Sequence, residues 1–175
     1  MLSTLQKKYN ALNSSLNKIL EYTDNLPKDK LNQSPEGEWN ASQILYHLKE
    51  AERGTLAYLS KKIQAPVSEV ESGGLSAKIR AFFLSRALRN RKKKFKVPSV
   101  FKEMPENLNY EDTRSEYLDT RRNLGILLEK FDKKMIGKAY FKHPRAGKIT
   151  IIQTLEFLKD HFDRHADQIR ERSGG

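Results

Sequence analysis

Cysteine is absent from this chain of 175 residues. That excludes disulfides, thiolate metal sites and a cysteine nucleophile, so any metal site must draw on imidazole and carboxylate ligands. Long apolar runs are also missing: none approaches the roughly 18 residues that span a bilayer, and no membrane partner is expected. The opening, MLSTLQKKYN, has neither the charged and apolar regions nor the small-residue cleavage site of a signal peptide. The expected compartment is the cytoplasm. Apolar residues are few, 37%, and charged ones numerous, 31%. Helices with one apolar stripe and a solvated outer face give such a composition, and so does an ordered core with a polar insert. At this length a single domain, 1–175, can hide about 68–70% of the surface of the unfolded chain.

Acidic residues are missing from one stretch in particular. Of 33 basic residues, ten lie between Gly74 and Lys102, where there is no Asp or Glu, leaving 23 against 22 acidic residues in the remainder. The net charge of +11 is therefore a local feature.

Leu5, Tyr9, Leu12, Leu16 and Ile19 recur at alternating steps of four and three, the signature of one helix face, and predict a helix over 2–26 ended by Pro27. Residues 27–38 read as a loop. Asn40 with Gln43 makes a capping-box pattern, and Trp39 with Ile44 a hydrophobic staple. A second helix follows, its stripe Ile44, Leu48, Ala51, Thr55 and Tyr58 or Leu59, until Pro66. Residues 67–109 read as a long excursion, with a short helix over 75–88 turning Ile79, Phe82, Phe83 and Leu88 inward. Pro98 and Pro105 forbid a long helix beyond it. A third helix starts near Asn109 and runs to about Phe131 through Tyr117, Leu118, Leu124, Leu127 and Leu128. Residues 132–148 read as a loop. Thr150 and Gln153 form a second capping-box pair that opens a last helix, to about Arg172, with Ile151, Leu155, Leu158, Phe162, His165 and Ile169 inward. The fold class this pattern predicts is all-α: a four-helix bundle with a long, basic, partly helical connection between its second and third helices.

Three of the four histidines lie on or beside inward stripes. His161 and His165, four apart, share a helix face about one turn from each other, the spacing at which two imidazoles can converge on one ion. His47, three after Ile44 and four before Ala51, shares the inward side of the second helix. A lone histidine on an apolar stripe is ordinarily a core residue bonded to a carbonyl. Three of them buried without a shared partner would each carry a desolvation cost, which one ion removes together. Glu50 and Glu52 are candidate general bases or outer partners of the site, against the plain alternative of exposed helix carboxylates. Asp163 belongs to the surface, and His143, before Pro144, is not expected to be a ligand. Trp39 packs as the staple residue or lines a pocket.

The stretch from Glu38 through Trp39, Asn40, Gln43 and His47 to Glu50 and Glu52 resembles the second-helix motif of the DinB/YfiT-like superfamily. Thr150 through His161, His165, Gln168 and Ile169 is similar to that family's last helix, with its HxxxHxxQI ending. The resemblance covers nearly the whole chain in order. It implies an up-down-down-up four-helix bundle and a divalent metal, commonly zinc or nickel, on His47, His161 and His165. Branches of the family resemble low-molecular-weight-thiol transferases, thiol-dependent isomerases and hydrolases. Glu52 matches the family's acidic position better than Glu50.

The function expected on these grounds is a metal-dependent enzyme acting on a small molecule, either a hydrolase or a transferase of a small thiol. Lacking cysteine, the chain would need an external thiol. The alternatives are a bundle that binds metal or ligand without turnover, and a basic nucleic-acid-associated protein. Arg89, Arg91, Lys92, Lys93, Lys94 and Lys96, with Phe95 among them, can neutralise phosphates and stack a base, although such a run is more often a solvated loop or draws an anionic substrate to a pocket. A homodimer is the expected assembly.

Overall fold

The computed structural model describes residues 1–90, 104–105 and 108–174. The elements run α1 (Ser3–Asp24), α2 (Lys28–Asn32), a 3-10 turn (Val67–Glu69) that follows α3 (Ala41–Lys62), then α4 (Leu75–Arg89), α5 (Tyr110–Glu129), a hairpin of β1 (Phe141–His143) and β2 (Gly147–Ile149), and α6 (Ile151–Ser173). The chain is mostly helical, and its long helices pack as a bundle. α3 lies against α5 and α6, while α1 and α4 each lie against α6.

The start signals act as their chemistry requires. Asn40 accepts the backbone N–H of Gln43 at 2.8 Å and the Gln43 side chain accepts that of Asn40 at 3.1 Å. Thr150 and Gln153 repeat this reciprocal pair at α6, and Asn109 accepts from Glu111 and Asp112 at α5. Each bond satisfies an amide that the first turn leaves without a partner.

Three expectations are corrected. The loop read over 27–38 contains the short helix α2, which starts directly after Pro27 and buries Leu31. The loop read over 132–148 contains most of a hairpin, with Phe141 opposite Ile149 and His143 opposite Gly147. Strands of three residues are too short to show an alternating pattern, but Gly147 at φ +67° marks a three-residue turn closed in the left-handed region. Finally, α4 turns Leu88 inward, as expected, but not Ile79, Phe82 or Phe83, which are exposed. Its inner face is Ala77, Ala81, Leu84 and Leu88, also spaced by threes and fours. α4 packs against α6. Ser85 and Arg89 bond the buried Asp160 at 2.5 and 2.9 Å, and Arg164 bonds the carbonyls of Leu88 and Asn90, satisfying the end of α4. The basic run from Arg91 to Lys96 lies outside the described residues.

The core is divided. One apolar cluster includes Leu5, Leu12, Leu59, Leu124, Ile151 and Leu158, the other Leu16, Ile44, Leu48, Tyr117, Phe162 and Ile169. On each long helix polar residues stand between the two: Asn13 on α1, Glu52 on α3, Arg121 on α5 and His161 on α6. Glu52 and Arg121, 2% and 3% exposed, form a two-point pair with Nε to Oε1 at 2.6 Å and Nη2 to Oε2 at 2.7 Å. The hydroxyl of Tyr117 adds a bond to Glu52 at 3.3 Å, and Arg121 also reaches Asn13 at 3.4 Å. Burial acts against the Arg121 charge, but Glu52 beside it outweighs that and holds the guanidinium ionised.

Candidate metal centre

α3 delivers His47 from its second turn, and α6 delivers His161 and His165 from consecutive turns. Phe162 and Ala166, beside these two in sequence, pack into the same apolar cluster as Ile44 and Leu48. That packing sets α3 against α6 at the height where the three imidazoles meet. One ring nitrogen of each lies within 4.8 Å of the others. The ring centroids are 5.2 Å apart for His47 and His161, 4.8 Å for His47 and His165, and 4.6 Å for His161 and His165. The Nε2 atoms of His47 and His161 are 3.3 Å apart. With metal–nitrogen bonds of about 2.0–2.1 Å, two ligands of a tetrahedral ion stand about 3.3–3.4 Å apart. The His47–His161 pair has that spacing, and the three rings together, with their nitrogens within 4.8 Å, could hold one ion.

The electrostatics point the same way. Burial pushes the His47 pKa down to about 4. Burial and then His47 push His165 down to about 3, against the opposing bond to Gln168. His161 lies well below its ordinary value because of burial and then of its two neighbours. All three rings are neutral near pH 7, the form in which imidazole ligates a metal. Gln168 accepts the Nδ1–H of His165 through Oε1 at 2.6 Å, which leaves the Nε2 lone pair of that ring for the ion. Trp39 is set against His47 at 5.0 Å between ring centroids and Phe157 stacks on His161 at 5.6 Å, so apolar rings wall the site on two sides. His47 is buried, whereas His161 and His165 are half-buried.

The other candidates stand elsewhere. Both oxygens of Glu52 are taken by Arg121 and Tyr117. Glu50 faces Lys49 at 2.9 Å and Arg53 at 2.6 Å. Asp163 pairs with Lys159 one turn away on α6. The buried His143 accepts the backbone N–H groups of Arg145 and Ala146 on Nδ1 and so ties the hairpin turn. The sequence reading missed Arg121 and gave Gln168 no task. A signal for Arg121 exists, because Tyr117, Arg121, Leu124 and Leu128 form one stripe, as do Leu48, Glu52, Thr55 and Leu59. Opposite charges inside two apolar stripes imply a buried pair.

Fold and site define a helical bundle whose three-histidine group could hold a metal ion. Residues 11–169 match the DinB superfamily, and the chain belongs to it. It is similar to the uncharacterized protein YuaE of Bacillus subtilis (strain 168), 24% identical over 148 residues that cover 83% of this chain and 85% of that one. No solved structure matches the chain.

Proposed function

We propose that the chain is a metal-dependent enzyme acting on a small molecule, with one divalent ion, zinc or nickel, on His47, His161 and His165. The observation that carries this reading is the convergence of three neutral imidazoles from two helices on a single spot. Three neutral ligands leave an ion its full charge, and as a Lewis acid it would activate a hydrolytic water or the sulfur of an external small thiol. The protein's own part is to orient and enclose. Gln168 fixes the His165 tautomer, and Trp39 and Phe157 shield the rings on two sides. Glu52 and Glu50, engaged with cations, support α3 in this reading. The up-down-down-up order of the long helices belongs to the same proposal, and the packing of α1 and α3 against α6 supports it.

The test is metal analysis of protein purified without chelator. The expected result is close to one zinc or nickel per chain, lost in His161→Ala while the helical signal is kept. Protein that stays metal-free after refolding with zinc and nickel defeats the reading. Loaded protein is then offered activated esters, and separately electrophiles with small thiols. Turnover that disappears in His161→Ala supports the enzyme. A full ion without turnover of either kind leaves a metal-binding bundle.

A further inference from the structure

Seven large apolar side chains are exposed among the described residues, and four of them belong to α4. Leu75 is 73% exposed, Ile79 49%, Phe82 63% and Phe83 62%. Steps of four, three and one place all four on one outward face, opposite the Ala77, Ala81, Leu84 and Leu88 face that packs on the bundle. Exposed apolar residues scattered singly are ordinary, whereas a contiguous group marks an interaction surface.

The charge of the same element says what kind of surface would meet it. α4 carries Lys78, Arg80, Arg86 and Arg89 and no acidic residue. Lys78, Phe82 and Arg86 are spaced by fours, so two exposed cations stand in line with the exposed rings. Arg89 is turned aside to Asp160, and Arg80 donates to the carbonyl of Ala146 at 2.7 Å. Those two bonds, with the anchoring by Arg164, hold α4 as a fixed helix whose outer face is both apolar and basic. A second copy of this chain is a poor occupant, because a two-fold contact through this face would set cations against cations with no acid on α4 to offset them. A nucleic acid would use the cations but leave the apolar stripe without a role.

We propose that α4 docks the protein on the surface of an anionic phospholipid bilayer. Leu75, Ile79, Phe82 and Phe83 would enter the boundary between headgroups and acyl chains, and Lys78 and Arg86 would meet lipid phosphates. No helix among the described residues is long and apolar enough to cross a membrane. That bears on spanning alone, since adsorption needs one helix face and not a span. This inference does not depend on the histidine site.

The test is co-sedimentation of the full chain with vesicles of phosphatidylcholine alone and of phosphatidylcholine with one-third phosphatidylglycerol. Binding is expected to the second only, and to weaken as salt is raised. The double variant Lys78→Gln/Arg86→Gln should lower the partition coefficient about 25-fold, about fivefold per cation. Phe82→Ser/Phe83→Ser should abolish binding while keeping the helical signal and metal content of the parent, since both rings are outside the core. Equal binding to neutral vesicles overturns the proposal. So does no binding to anionic ones, or binding that neither variant changes. Retention of duplex DNA by the parent and by Phe82→Ser/Phe83→Ser alike, with no vesicle binding, assigns the cations to nucleic acid and also overturns it. A dimer that Phe82→Ser/Phe83→Ser dissociates, again without vesicle binding, assigns the face to self-association with the same result.

Discussion

Replacing Glu52 by glutamine keeps the shape of the side chain and removes the charge against which Arg121 is buried. Neither residue is more than 3% exposed, and their two-point contact at 2.6 and 2.7 Å leaves no room for water to take over. Breaking such a pair from one side strands an ion in the core, at a cost of about 3–5 kcal/mol. For a chain of this size each kcal/mol moves Tm by about 2–4 °C, so Glu52→Gln should melt about 6–20 °C lower. Glu52→Leu/Arg121→Met removes both charges and should recover most of that loss, because the stranded ion is gone. Urea unfolding followed by circular dichroism, with the parent, Glu52→Leu, Arg121→Met and the double variant compared beside Glu52→Gln, gives the coupling directly. Metal content of each folded variant is read alongside. A loss below about 1 kcal/mol in Glu52→Gln, or a double variant no more stable than the sum of the singles, refutes the reasoning. Unchanged stability and metal content with lost turnover would return Glu52 to the role of general base.

Gln168→Ala should weaken metal binding by about 10–100-fold, since it frees the ring whose tautomer it holds, and competition with a chromophoric chelator measures this. At an ion concentration 100 times Kd, metal should stabilise the protein by about 2.7 kcal/mol, a rise in Tm that His161→Ala abolishes. Stability of the metal-free protein should fall as pH drops below about 6.5. There the unfolded chain takes up protons that the folded His47 refuses until about 4 and His165 until about 3. Each group contributes up to about 1.4 kcal/mol per pH unit in that window and nothing above it. Urea midpoints at pH 7.5, 6 and 5 check the slope, and His165→Ala should flatten it.

Much of this architecture was legible without coordinates. The reciprocal caps at Asn40 and Thr150 fix where two helices begin because they are local, each joining residues three apart. Apolar stripes give the long helices for the same reason. The hairpin escaped because three-residue strands are held by pairing across a turn, not by a pattern of their own. The outer face of α4 was misjudged for a related reason. Two faces of that helix satisfy the apolar spacing, and the larger side chains drew the choice, while packing on α6 favoured the alanine face.

The site divides along the same line. Spacing by itself placed His161 and His165 one turn apart and His47 on the inward side of another helix, because a helix turns through a fixed angle per residue. Whether rings on two helices 114 positions apart come within 3.3 Å depends on how α3 and α6 cross, which is set by the packing of Ile44 and Leu48 with Phe162 and Ala166. The same packing decided the fate of the acidic candidates. A carboxylate on an apolar stripe must find its counter-charge, and for Glu52 only the tertiary structure could reveal that α5 supplies Arg121.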